Sequence, residues 1–290
     1  MELHQLRYAT AVARMGNFSR AAEDCHVSQP SLSQQIQKLE GELGERLFDR
    51  MKREARVTAY GEVFLRRAQR VLDEVDAAKR EASEAKDLLM GKLTLGILPT
   101  MAPYLLPRVM VRFLKDFPGV EVVVQEDTTE RLLKQALAFE IDFAIVSEPI
   151  RDQRLEVRRL FTEELWLALP PKHPLTRQAA VSLDDVDDEP MIVMREGHCL
   201  GEQVMGFCDR GNIRPRITFQ SAQLETVQAM VRAGLGVSLI PAMALRRNQV
   251  DSPEYRPLKS PRPKRSITAV WLKSRRLTRA AGEFIERVSD

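Results

Sequence analysis

"NFSRAAEDCHVSQPSLSQQIQKLEGELG", residues 17–44, decides how the first part of this chain folds. Phe18 and Ser19 open a helix carrying Ala21 and Ala22, "CHVS" (25–28) makes a tight turn, and Ser28 stands where a second helix needs a cap. Pro30 fits that second helix only in its first turn, where a missing N–H sacrifices no hydrogen bond. The pattern is therefore helix, turn, helix. On the second helix Ile36 and Leu39 face inward, while Gln29, Ser31, Ser33 and Gln34 place short polar side chains near the N-terminal end. Glutamine can pair with adenine and serine with several base edges, and the N-terminal part of such a helix is what enters a major groove. Taken alone, the stretch would read better as an ordinary solvent-facing helix.

Its neighbours change that reading. Upstream, Leu6, Ala9, Val12 and Ala13 give one apolar face of a further helix. Downstream, Arg50, Lys52, Arg53 and Arg56 cluster against only Asp49 and Glu54, and four such cations make a phosphate-binding footprint. Bulk charge adds nothing: the chain carries +3, and its first 90 residues hold fifteen Lys/Arg against fifteen Asp/Glu. Next comes "TAYGEVFLRRAQRVLDEVDAAKREASEAKDLLMGKL" (58–93), which lacks proline. There Phe64, Ala68, Val71, Val75, Ala78, Ala82 and Ala85 recur at alternating steps of four and three, a heptad stripe that predicts a dimerising linker helix.

From Lys92 onward the texture changes. "KLTLGILPT", "VEVVVQED", "DFAIVSEP", "ELWLALP", "MIVMRE", "RITFQS" and "GVSLIP" are short strand-like runs. Helical stretches such as "LLPRVMVRFLKDF", "RLLKQALAFE" and "LETVQAMVRAG" separate several of them, which predicts α/β architecture with mostly parallel pairing. The loops "LPPKHPL" (169–175) and "SPEYRPLKSPRPKR" (252–265) are where the chain is expected to cross between two subdomains.

Several function classes are excluded. No apolar run approaches the roughly 18 residues of a membrane span, and "MELHQLRYATA" mixes charges into what would be the apolar part of a signal peptide, so a cytoplasmic location is expected. There is no Walker lysine loop, no metalloprotease His pair and no nucleophile elbow, and "GLG" (234–236) leads into a strand, unlike a dinucleotide fingerprint. His4, His26, His173 and His198 are scattered, and neither a metal nor a cofactor is expected.

The chemistry that is present lies in "GHCLGEQVMGFC" (197–208), which holds two of the three cysteines. If Leu200, Val204 and Phe207 mark a helix, Cys199 and Cys208 stand about 13 Å apart along its axis and point to opposite faces. A disulfide needs Cα atoms within about 7 Å, so the pair is either inert or a switch that unwinds its helix. Gly197 permits a sharp turn into that helix, which would leave Cys199 at its N-terminus, where backbone amides favour a thiolate, with His198 or Arg195 as a cationic neighbour. Such a thiol would react with peroxide, and Cys208 is the cysteine near enough in sequence to capture the sulfenic acid. Cys25, inside the helix-turn-helix, reads as a small buried hydrophobe.

"FSRAAEDCHVSQPSLSQQIQKLEGELGERLFDR" (18–50) resembles the winged helix-turn-helix of LysR-type transcriptional regulators, and the likeness runs through the whole chain. It implies a multidomain protein: an N-terminal, all-α winged helix-turn-helix reader over 1–58 and a linker helix over 59–90. A periplasmic-binding-protein-like α/β effector domain follows over 91–290, with subdomain I about 91–162 and 266–290, and subdomain II about 163–265. "GHCLGEQVMGFC", "GILPTMAPYLLP" (96–107) and "SAQLETVQAMVRAGLGVSLIPA" (221–242) resemble the peroxide-sensing members of that family. That resemblance implies a peroxidatic Cys199 and a resolving Cys208 joined by an intramolecular disulfide. Thr100, Thr129 (with Thr128 its neighbour), His198 and Arg265 would form the peroxide pocket. It also implies DNA contacts from Gln29, Pro30, Ser31, Ser33, Gln34 and Lys38, with Arg50, Lys52, Arg53 and Arg56. The implied partners are double-stranded promoter DNA, hydrogen peroxide as signal, RNA polymerase, a thiol reductant of the glutaredoxin or thioredoxin type, and further copies of the chain in a homotetramer. Gly201 departs from the pattern, standing where those relatives commonly carry a charged side chain. Two other readings remain at this point: a regulator whose effector is a small organic molecule in the inter-subdomain cleft, and a thiol peroxidase.

Overall fold

The computed structural model describes residues 1–50, 55–84, 90–187, 189–195, 199–211, 213–246 and 252–289. They form two compact units, Met1–Asp87 and Leu88–Asp290.

The first unit runs α1 (Leu3–Met15), α2 (Phe18–Asp24), α3 (Gln29–Leu43), β1 (Phe48–Arg50), β2 (Ala55–Val57) and α4 (Ala59–Glu84). Local rules set these boundaries. The Asn17 side chain accepts from the backbone N–H groups of Ser19 and Arg20 and so starts α2, and Ser28 accepts from Ser31 N–H to start α3. Pro30 sits in the first turn of α3, and Gly44 ends it in the left-handed region at φ 76°. Leu6, Ala9 and Val12 of α1, Ala21 and Ala22 of α2, and Leu32, Ile36 and Leu39 of α3 share one core with Leu47 and Phe48. Glu40 is buried at the edge of that core and accepts from Leu47 N–H at 2.8 Å and Phe48 N–H at 3.2 Å, which fixes the chain into the antiparallel β1–β2 hairpin, the wing. Leu65, Ala68 and Leu72 dock α4 on the same core. Of the heptad positions, Ala68 is thus spent inside the unit, Phe64 and Val75 are half-buried, and Val71 and Ala78 are exposed; the Ala82 side chain and Ala85 lie outside the described residues.

The second unit runs β3 (Gly91–Ile97), α5 (Ala102–Asp116), β4 (Val120–Glu126), α6 (Thr129–Ala138), β5 (Phe143–Ser147) and β6 (Leu155–Leu169). It continues with β7 (Pro190–Met194), α7 (Cys199–Arg210), β8 (Arg216–Ser221), α8 (Leu224–Arg232), β9 (Ser238–Pro241), β10 (Glu254–Pro257), β11 (Lys264–Leu272) and α9 (Arg279–Ser289). One sheet has the order β10-β6-β11-β5-β3-β4, with β9 also on β6, and β7 pairs β8 separately. Two cores form around it. The first gathers Leu93, Leu95, Ile97, Phe113, Phe143, Ile145, Ile267 and Phe284; the second gathers Leu165, Leu167, Ile192, Val193, Leu200, Val204, Val227 and Ile240.

The expectation of mostly parallel pairing is corrected. β3 is parallel to β4 and β5, and β7 to β8, but β6 meets β9, β10 and β11 antiparallel, as β11 meets β5. The reason is β6, 15 residues long, whose Leu155 belongs to the first core and whose Leu165 to Leu169 belong to the second. A chain that returns from the second lobe must run back along it, and β11 does so from Lys264 opposite Glu164 to Leu272 opposite Leu155. The first crossing therefore lies inside β6 and not in "LPPKHPL". The second lies between Leu258 and Ile267, in a stretch that also contains β10 and the start of β11 and so is not wholly loop. Among the described residues no helix is long and apolar enough to cross a membrane.

Candidate functional site

Two surfaces carry the candidate chemistry, one in each unit. In the first, burying Leu32, Ile36 and Leu39 turns the opposite face of α3 outward: Gln29, Pro30, Ser31, Gln34 and Lys38 are exposed and Ser33 is half-buried. The exposed set holds two glutamines, a serine and one cation at the helix start and along one side, a composition suited to base edges and phosphate. Arg50 ends β1 and Arg56 is exposed on β2; the Arg50 side chain, Lys52 and Arg53 lie outside the described residues. Cys25 is half-buried at the edge of this core, and burial pushes its thiol up.

In the second unit the site is built on α7. Leu200, Val204 and Cys208, spaced by four, are buried in the second core and dock the helix there. Gly201 makes the docking close: a Cβ at that position would stand 2.5 Å from the Met194 carbonyl oxygen, so a side chain where the peroxide-sensing resemblance expects a charge would displace the helix. The opposite face reaches the first lobe. Gln203 Nε2 donates to Ser147 Oγ at 2.7 Å and to the Glu148 carbonyl at 2.8 Å, and Cys199 packs against the first core. All three cysteines are free thiols. Cys199 is half-buried at the first residue of α7, whereas Cys208 has no exposed surface.

A cleft of about 900 Å³ opens beside Cys199, lined among others by Thr129, Ser147, Gln203, Lys264 and Arg265. Thr129 is the first residue of α6, its Oγ1 buried, while Thr128 takes the cap position before it. Arg265, 1% exposed on β11, donates through Nε to Glu163 Oε1 at 2.7 Å and through Nη1 to Thr100 Oγ1 at 3.2 Å. The structure thus brings Cys199, Thr129 and Arg265 to one cleft and attaches Thr100 to them through the arginine. Cys208 does not join them, and His198 lies outside the described residues.

Burial opposes the thiolate expected at Cys199. Burial pushes the thiol above the ordinary cysteine value; Arg265 and the Thr129 hydroxyl pull it down, Glu202 adds to the rise, and burial prevails. The acting cation is Arg265, from a distant strand, and not the adjacent Arg195. Burial pushes Cys208 up to about 11, with Asp209 adding to it.

Two partners escaped the sequence reading. Gln203 gave no signal before its position on α7 was known. Glu163 did give one, since it stands in phase with Leu165, Leu167 and Leu169 on β6, and a carboxylate on the buried side of a strand requires a partner.

A helix-turn-helix in one unit and a two-lobed α/β unit with an open cleft define a DNA-binding regulator with an effector module. Residues 3–62 match the model for the bacterial regulatory helix-turn-helix of the LysR family, and residues 86–290 match the LysR substrate binding domain. The chain belongs to the LysR family of DNA-binding transcriptional regulators. It is 37% identical over 272 residues to the hydrogen peroxide-inducible genes activator of Pectobacterium carotovorum subsp. carotovorum, covering 93% of this chain and 90% of that one. To the DNA-binding transcriptional dual regulator OxyR of Escherichia coli K12 it is 36% identical, covering 93% and 89%. Full-length OxyR C199D from Pseudomonas aeruginosa superimposes with a TM-score of 0.82 at 32% identity, covering 100% of this chain and 98% of that one. These relatives are regulators and not enzymes, which sets the thiol peroxidase reading aside.

Proposed function

We propose that the chain senses hydrogen peroxide through Cys199 and Cys208 and regulates promoters of oxidative-stress genes accordingly. The observation that carries this reading is the placement of Cys199 beside Thr129 and Arg265 in an open cleft, with Cys208 sealed in the other core at the far end of the same helix. The Cys199 thiolate attacks one peroxide oxygen, breaking the O–O bond to give sulfenic acid and hydroxide. The Cys208 thiol then displaces the sulfenic hydroxyl, forming the disulfide and releasing water. Thr100, Thr129 and His198 hold the peroxide, and Arg265 stabilises negative charge at the sulfur. Because the sulfurs begin about 13 Å apart along α7, the second step unwinds that helix, and the change passes to the assembly of subunits. In this reading the protein is a cytoplasmic homotetramer that engages promoter DNA through α3 and the wing and contacts RNA polymerase, and a glutaredoxin- or thioredoxin-type reductant resets it. The residue ranges 1–58, 59–90 and 91–290 are the proposed reader, dimerising linker and sensor.

The test is the mass of the peptides bearing Cys199 and Cys208 after a stoichiometric peroxide pulse on reduced protein. Loss of two hydrogens across the pair, absent in Cys199→Ser, supports the reading; two thiols persisting in excess peroxide would sink it. The 900 Å³ cleft favours one other reading, a small organic effector with the cysteines incidental. In that case Cys199→Ser leaves induction intact.

A further inference from the structure

Arg265 is a buried cation whose orientation decides what it can do for the thiol, and something must fix that orientation. Thr100 contributes one hydrogen bond of 3.2 Å. Glu163 contributes more: its Oε1 lies 2.7 Å from both Nε and Nη2, and the two residues face each other across the β6–β11 ladder. Glu163 is itself held, since its Oε2 accepts from Met243 N–H at 3.0 Å, in the turn that follows β9. Both side chains are nearly sealed, the arginine 0% and the glutamate 8% exposed. A guanidinium in such surroundings stays where its carboxylate is, because separating the pair would leave two uncompensated buried charges.

We propose that Glu163 is a positioning residue of the thiol site, holding Arg265 between Thr100 and the Cys199 side of the cleft and anchoring that arrangement to the backbone at Met243. This deepens the reading of Cys199 as the reactive thiol and rests on it. The charges facing Cys199 come from several elements: Arg265 on β11 and Glu202 on α7 act on it directly, and Glu130 on α6, Glu148 beside β5 and Lys264 line the same cleft. Arg265 is the cation that pulls the thiol down, so its placement sets how much thiolate exists at a given pH. Glu163 acts only through Arg265.

The experiment is the pH profile of Cys199 alkylation by iodoacetamide in the reduced full-length chain, read by the mass of the Cys199 peptide. Glu163→Ala releases the arginine and raises the midpoint by about one pH unit. Arg265→Met does the same, and the double variant goes no further than Arg265→Met alone, because two residues acting in series are not additive. An unchanged or lowered midpoint in Glu163→Ala, or effects that sum, would overturn the proposal. Should Glu163→Ala not fold, Glu163→Gln serves: it keeps an acceptor for Nε, so the midpoint stays at or below that of the parent, and a rise matching Arg265→Met counts against the idea. Alkylation needs no peroxide, so a failure of peroxide sensing and a failure of this proposal give separate signatures.

Discussion

α3 and α7 are helices of similar length, 15 and 12 residues, each burying one apolar face, and the proposed function gives them opposite fates. α3 has a side-chain cap at its start, proline in its first turn and a left-handed glycine at its end, and its candidate residues act from the outer face while the helix stays folded. α7 carries its two candidate sulfurs on opposite sides, and they can meet only when the helix is lost. Under the proposed function, a reading helix is useful because it is rigid, and a redox helix because its docking is finite. In the reduced protein, substitutions in one should therefore be silent in the readout of the other.

The largest effect expected is at Leu200, wholly inside the second core one residue from Cys199. Leu200→Ala removes buried contacts and leaves a cavity, an effect of about 2–5 kcal/mol in well-packed sites. Much of it falls on the docking of α7, so disulfide formation after a peroxide pulse should become faster, by a factor of ten or more for about 1.4 kcal/mol. Slower formation would mean that the helix must stay folded for the chemistry. The second expectation concerns pH. The Cys199 thiol is held above the ordinary cysteine value, so its thiolate fraction still climbs through the neutral range. Alkylation by iodoacetamide should accelerate about tenfold per pH unit between pH 7 and 8.5. A plateau below pH 7 would show a thiolate already formed, and DNA affinity measured alongside should not follow the thiol.

This asymmetry also explains what could be read from residues alone. α3 obeys local rules: Asn17, Ser28, Pro30 and Gly44 mark its boundaries and those of its neighbour, and Leu32, Ile36 and Leu39 mark its inner face, so its exposed set follows. The cysteine spacing was legible for the same reason. The acidity of Cys199 was not, because burial outweighs the helix terminus, and the balancing cation comes from β11, 66 positions later in the chain. The strand pairing failed likewise, since β6 spans two cores and the alternation that opens its first half, "LEVRRLF", breaks at Arg159 after four residues.

Gln34→Ala sharpens the comparison from the other side. Gln34 is exposed in the second turn of α3, and a side chain bidentate to a base contributes about 1–3 kcal/mol of discrimination. Binding to a cognate operator should weaken about tenfold or more, with preference relaxed at a single base pair and with peroxide-driven disulfide formation unchanged. Equal weakening on all sequences would assign Gln34 to the backbone instead.

The smallest effects are the most discriminating, because two of them share a magnitude. Gly201→Ala places a Cβ 2.5 Å from the Met194 carbonyl oxygen, an overpacking of about 1–3 kcal/mol partly offset by about 1 kcal/mol of regained helix propensity. Ser28→Ala removes a cap whose hydrogen bond is long, 3.4 Å, so about 0.5–1 kcal/mol of α3 stability is lost. Each change therefore loosens one helix by roughly 1 kcal/mol, and thermal unfolding would not tell them apart. Their functional readouts should separate completely. Gly201→Ala accelerates disulfide formation a few-fold and leaves operator binding alone, whereas Ser28→Ala weakens operator binding a few-fold and leaves the thiols alone. If Ser28→Ala also changed the oxidation rate, the two helices would be energetically coupled in the reduced protein, and the division of labour drawn between them would have to be replaced by a single cooperative unit.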